Sequence, residues 1–298
     1  MAQNLQILLR RKKTAQNIAQ IARAMEMISA SKIKKAQSEV VANKPYADRI
    51  TKLTSSIIRH IDTDQFNHPY IFGNEAEEAL VLIISPDKGL CGSLNTNLFK
   101  RIFEIDNKNL KLIAMGRKAS QFSRRLSGEL IAEFNIGTTL PPYGTVYQLI
   151  EVINNEYIGG HVSSFKILYT EFTSMFTQAP VLKSILPIEM PNLPTAVSLR
   201  SQPGSLPLAG TGGQSAPLPY IFEPKIQDLL SELLPYYLEV ILYNSLIEAY
   251  TSEQAARMVA MQNAKNNALD IADYLTLIYN KSRQERITNE LLTLSSRV

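Results

Sequence analysis

Residues 225–294 read KIQDLLSELLPYYLEVILYNSLIEAYTSEQAARMVAMQNAKNNALDIADYLTLIYNKSRQERITNELLTL, and this stretch decides the fold. It contains no glycine and a single proline, Pro235. Its apolar residues recur at helical spacing: Leu229, Leu233, Tyr237, Val240 or Ile241, Ile247, Ala268, Ile271, Leu275 and Ile278. The repeat is near 3.5 residues, the seam period of a coiled coil. A helix of about 60–70 residues would be roughly 90–105 Å long, more than a globular core can cover, so it requires a long partner. Pro235 predicts either a kink or a helix start just after it.

The other end of the chain supplies the partner. Residues 1–44 hold neither glycine nor proline, and Ile18, Ile21, Met25 and Ile28 step by three, four and three, again a seam. Alanines between them favour helix and close approach. Pro45 predicts a break, with helix resuming from Tyr46 to about residue 61. The simplest closure is a long antiparallel coiled coil of the two terminal helices, with the far end of the longer C-terminal helix projecting beyond its partner.

Between the helices the texture changes. All thirteen glycines lie between Gly73 and Gly213. Short apolar runs at residues 79–85, 110–115, 130–134, 165–172 and 181–186 read as strands, and residues 93–105, 118–126 and 146–157 read as helices. This alternation predicts a central open α/β domain of Rossmann-like layout. Residues 187–224 carry eight prolines and four glycines, a linker composition. The expected division is residues 1–61 as N-terminal coiled-coil helix, 75–187 as α/β domain, 188–224 as linker and 225–298 as C-terminal coiled-coil helix.

Charge and motifs limit the chemistry. The 298 residues have a net charge of +4, yet residues 1–56 alone carry eleven lysines and arginines against three acidic residues. Such a basic helix could meet nucleic acid, an anionic membrane or an acidic protein surface. One cysteine, Cys91, excludes an intrachain disulfide and a zinc site built on several cysteines. The start, Met1-Ala2-Gln3-Asn4, lacks a signal pattern, and no apolar run approaches the ~18–20 residues of a membrane span.

The turn Ser85-Pro86-Asp87-Lys88-Gly89-Leu90-Cys91-Gly92-Ser93 sits where phosphate loops occur, but a P-loop needs its lysine after the second glycine, and G-x-G-x-x-G is absent. Cys91 has no base at a motif spacing and reads as structural. His60, His68 and His161 show no ligand spacing, and no G-x-S-x-G occurs. Nothing in these patterns points to catalysis, to a cofactor or to a metal. The polar run Asn280-Lys281-Ser282-Arg283-Gln284-Glu285-Arg286 interrupts the seam and is either a solvated helix end or a contact for polar partners.

Four blocks carry a resemblance. Ala24-Met25-Glu26-Met27-Ile28-Ser29-Ala30-Ser31-Lys32 is similar to the N-terminal helix of the gamma subunit of F-type rotary ATP synthases of bacterial type. Residues 87–99 (DKGLCGSLNTNLF) resemble its central motif, and residues 252–261 (SEQAARMVAM) and 279–290 (YNKSRQERITNE) resemble its C-terminal helix. The resemblance spans the chain and implies a non-catalytic rotor shaft, standing within three alpha and three beta subunits and gripping a c-subunit ring beside epsilon. It implies that Met25, Lys32, Lys34 and Lys35 face acidic segments of beta, that Arg283, Gln284 and Thr288 contact alpha and beta loops, and that Tyr46 lies near the c ring. It further implies no cofactor, no nucleic acid, membrane contact only through the c ring, and a peripheral place on the cytoplasmic face of a bacterial inner membrane. Family members commonly end in a Gly-Ala-rich tail that this chain lacks, and its long linker has no cysteines, unlike the redox switch of chloroplast members. The rival reading from another class is a coiled-coil interaction scaffold, distinguished by self-association without alpha and beta.

Overall fold

The structure, a computed structural model, describes residues 2–58, 68–103, 110–188 and 226–295. Two helices dominate it. Helix α1 spans Ala2–Ile58 and the last helix, α6, spans Ile226–Ser295. They run antiparallel as one shaft, with Tyr46 against Tyr236 at its lower part and Glu26 paired with Lys265 at 2.8 Å further up.

Neither proline breaks its helix. Pro45 lies inside α1 and Pro235 inside α6. Proline at position 45 removes only the bond to the Val41 carbonyl, and Val41 is exposed, so water can serve that oxygen. The Pro/Gly-rich stretch expected as a linker falls outside the described residues apart from Ile188.

The central α/β domain, here termed the foot, follows the alternation read from the sequence, with one short helix, Pro69–Phe72, in addition. Its elements are α2 (Pro69–Phe72), β1 (Ala79–Ile84), α3 (Leu94–Ile102), β2 (Leu110–Met115), α4 (Arg117–Ser123), β3 (Glu129–Phe134), α5 (Gly144–Tyr157), β4 (Ser164–Phe172) and β5 (Gln178–Leu186). The sheet order is β3-β2-β1-β4-β5, with β1 to β4 parallel and β5 antiparallel at the edge. Strands covered on both faces read as continuous apolar runs, as in ALVLII of β1. One face packs on α5, the end of α1 and the first half of α6, through Leu80, Leu82, Phe165, Leu230, Leu234, Leu238 and Leu242. The other is covered by α3 and α4, through Val81, Ile83, Leu98, Ile102 and Ala119.

The seam on α1 differs from the expected one. On α1 the buried line is Ala15, Ala19, Ala22, Ser29, Ile33 and Ala36, whereas Ile18, Ile21 and Ile28 are exposed and Met25 is half-buried. On α6 the expected Tyr237, Val240, Ile241, Ile247 and Ala268 are buried, joined by Leu230, Leu234, Leu238, Leu242, Leu246 and Ala272; Leu229, Leu233, Leu275 and Ile278 are half-buried and Ile271 faces outward. Small side chains let the two helix backbones approach closely, and that approach turns the bulkier neighbours outward.

Candidate functional site

The C-terminal ends of the parallel strands meet the two long helices. After β1, the Ser85 hydroxyl oxygen accepts from the Ala119 N–H at 2.6 Å, fixing the start of α4. Gly116 makes this possible: its φ is +94°, and a Cβ there would lie 1.9 Å from the Ser85 carbonyl oxygen. Asp87 then ties two loops together, accepting from the Arg117 N–H at 2.8 Å and the Gly137 N–H at 2.7 Å.

Both shaft helices reach these loops. From α1, Lys32 donates to the Thr138 carbonyl. From α6, the Tyr250 hydroxyl donates to the same carbonyl at 3.3 Å, and Arg257 Nη2 lies 3.3 and 3.5 Å from the carbonyl oxygens of Lys88 and Gly89. Arg257 is also paired with Glu253 at 2.7 Å, one helical turn earlier, and both side chains are about nine-tenths buried. Burial pushes the Glu253 carboxyl above its ordinary value, with the Arg257 charge and hydrogen bond opposing that rise. Met25, Ser29, Lys32, Lys88, Thr138 and Arg257 line one cavity of about 200 Å³ at this joint.

Cys91 belongs to the same joint and is buried against Leu94 and Ala256. Burial pushes its thiol up, and its Sγ accepts from Asn95 Nδ2 at 3.5 Å. A buried, protonated thiol is a packing group, as the sequence suggests.

The remaining expected site residues are spread along the molecule. Lys34 and Lys35 are exposed on α1. Arg283, Gln284 and Thr288 are exposed near the tip of α6, with the Thr288 hydroxyl donating to the Gln284 carbonyl at 3.0 Å. Tyr46 sits low on the shaft, its hydroxyl hydrogen-bonded to that of Tyr236. The structure therefore brings Met25 and Lys32 together with the 252–261 block and leaves the others apart. Sequence reading missed Glu253 and Arg257. The signal was an acid and an arginine four residues apart within the small-residue run EQAARMVAM.

Above the joint lies a second feature. A groove of about 660 Å³ runs between the shaft helices, lined by Arg10, Arg11, Ile18, Ile271, Tyr274 and Leu275 among others. Further exposed apolar side chains continue along both helices: Ile21, Met27 and Ile28 on α1, and Leu269, Leu277, Ile287 and Leu291 on α6.

These features define a class, a non-globular shaft of two antiparallel helices carrying a laterally attached α/β foot. The family described as ATP synthase matches residues 4–296. An ATP synthase gamma chain from Dehalococcoides mccartyi is 37% identical over 295 residues, covering 98% of this chain and 96% of that relative. One from Opitutus terrae is 35% identical over 288 residues, covering 96% and 95%. Among solved structures, a chain of the Euglena gracilis mitochondrial ATP synthase (OSCP/F1/c-ring) superposes with a TM-score of 0.68 at 17% identity, covering 99% of this chain and 94% of that one. A chain of the same organism's rotor gives 0.64 at 17%, covering 96% and 100%. The chain belongs to the ATP synthase gamma chain family.

Proposed function

We propose that the chain is the central rotor shaft of an F-type ATP synthase, coupling ion-driven rotation of a c ring to ATP synthesis or hydrolysis at the beta subunits. The observation that carries this reading is the burial pattern of the upper shaft. There the two helices spend their alanines on each other and leave Ile18, Ile21, Ile28, Ile271, Tyr274 and Leu277 outward. Contiguous apolar surface of this extent is a contact surface, and its arrangement around a rod fits a collar of surrounding subunits. In this reading the surrounding subunits are three alpha and three beta, while the foot meets the c ring and epsilon.

The shaft itself performs no chemistry. Each angular position binds one beta conformation better than the others, and only that difference can bias the three sites. Met25, Lys32, Lys34 and Lys35 would meet acidic segments of beta. Arg283, Gln284 and Thr288 would make polar contacts with alpha and beta loops near the tip, and Tyr46 would lie on the c-ring side. Extending the Tyr46–Tyr236 and Glu26–Lys265 register places Ala2 roughly opposite residues 280–289 of α6.

No helix among the described residues is long and apolar enough to cross a membrane. In this reading the chain has a peripheral place on the cytoplasmic face, reached through the c ring. The proposed division of the chain remains residues 1–61 and 225–298 for the shaft, 75–187 for the foot and 188–224 for a linker. The test is co-expression with alpha and beta subunits. The expected result is a complex with one copy of this chain per three alpha–beta pairs and higher ATPase activity than alpha and beta alone. A chain that never co-purifies would contradict the reading.

A further inference from the structure

The tip of the β4–β5 hairpin departs from ordinary turn chemistry. Turns are dominated by glycine, proline, asparagine, aspartate and serine, which need no packing partner. Residues 173–177 read TSMFT, and all five are exposed. Phe176 is 79% exposed, more than any other large apolar side chain among the described residues. The tip is nevertheless pinned. The Ser174 N–H donates to the Thr177 carbonyl and the Thr177 N–H to the Ser174 hydroxyl, both at 3.0 Å. The Gln178 side-chain amide donates to the carbonyls of Ser174 and Met175 at 3.0 and 2.9 Å. A phenyl ring presented to water on a pinned turn gains from being covered, and little backbone ordering remains to oppose it.

Position narrows what can cover it. β4 runs parallel to β1, so the tip lies at the end of the foot where the loops meet the shaft. A cavity of about 240 Å³ adjoins it, lined by Phe176 and Pro180 of the hairpin, Gly92 and Leu94 at the start of α3, and Val259 and Asn263 of α6. Just beyond, α6 leaves the foot and its apolar side chains turn outward. Leu269, the first of them, lies about 9 Å along the helix from Asn263 at 1.5 Å per residue. A single partner surface reaches both the tip and that outward face.

Charge narrows it further. No residue from 172 to 182 is charged, nor any from 258 to 264. The acidic segments of beta proposed above need cations, such as Lys32, Lys34 and Lys35, and the tip offers none. We propose that the β4–β5 tip is a docking prong for an alpha subunit: Phe176, with Met175 beside it, packs on an uncharged, apolar segment at the lower rim of the collar, and the adjoining cavity takes a side chain of that segment. The inference rests on the rotor reading. The chain carries one foot and the collar three alpha subunits, so the prong engages one of them at a time, away from the shaft axis.

The experiment uses the complex of the full chain with alpha and beta. In one arm Phe176→p-benzoylphenylalanine is irradiated, and the expected result is a covalent adduct with alpha. An adduct with beta, or none in a complex that has assembled, would overturn the proposal and leave the rotor reading standing. In the other arm Met175→Ser/Phe176→Ser is expected to leave the complex about tenfold faster than wild type. Unfolding of the chain alone should stay unchanged, because both side chains are exposed. Unchanged release would overturn docking even where an adduct forms, since proximity alone carries no binding energy. If the wild-type chain forms no complex, the rotor reading fails and the prong falls with it.

Discussion

The lower and upper halves of α6 are one helix with two different economies of burial. From Leu230 to Arg257 it packs on both α1 and the foot, and it buries Leu234, Leu238, Leu242, Leu246 and Ile247 almost completely. Beyond Met261 its only buried described residues are Ala268 and Ala272, while Leu269, Ile271, Tyr274 and Leu277 face outward. The lower half is stabilised by its own chain. The upper half carries apolar surface that the chain does not cover, so its stability depends on what surrounds it.

The largest effect that would sharpen this contrast is a cavity in the lower half. Leu246→Ala is expected to cost about 2–5 kcal/mol in urea unfolding of the purified chain. Ile21→Ala, in the upper half, should stay within about 0.5 kcal/mol in the same assay yet weaken assembly with alpha and beta. Equal costs at both positions would break the comparison.

Next comes the tip. Arg283→Glu combined with Gln284→Leu should lower coupled ATP synthesis several-fold with little change in unfolding of the isolated chain. Unchanged synthesis would remove these residues from the contact set.

Acid response separates the halves too. Burial raises the Glu248 carboxyl above its ordinary value of 4.5, with Tyr169 and Asn244 hydrogen-bonded to it. Between the ordinary and the raised value the folded state holds more protons than the unfolded one, so this group's contribution falls as pH rises through that window. Glu248→Gln should therefore flatten the decline in stability measured from pH 4.5 upward. An unaltered slope would show that the carboxylate is accommodated without cost. A small effect also belongs to the Glu26–Lys265 pair, which is only partly buried: Lys265→Met is expected to cost about 0.2–1 kcal/mol in urea unfolding.

Much of this architecture is legible in the sequence. The absence of glycine from both ends, and the apolar runs of β1, β2 and β4, announce a coiled coil with an α/β domain, and α3, α4 and α5 lie within two residues of the starts read for them, whereas the four-residue α2 is too short to show a period. The seam of α6 holds at Tyr237, Ile241, Ile247 and Ala268, whereas that of α1 differs for a physical reason. Periodicity marks Ile18, Ile21 and Ile28 as the interior, but a shaft that must present apolar surface to other subunits puts its large side chains outside and its alanines inside. The rule that apolar residues face the chain's own core fails where the core is shared. Pro45 does not break α1 because the one backbone bond it removes is at the exposed Val41 carbonyl, which water can serve. The i,i+4 spacing of Glu253 and Arg257 shows the pair but not the joint, because its other partners, the Lys88 and Gly89 carbonyls, are main-chain atoms that spacing along the sequence does not reveal.

The most direct test of the central claim is rotation. The purified complex would be fixed through its beta subunits, a probe attached to the foot, and ATP supplied. The account predicts unidirectional turning with three resting angles, one for each alpha–beta pair. A foot that stays fixed while the complex hydrolyses ATP would contradict it.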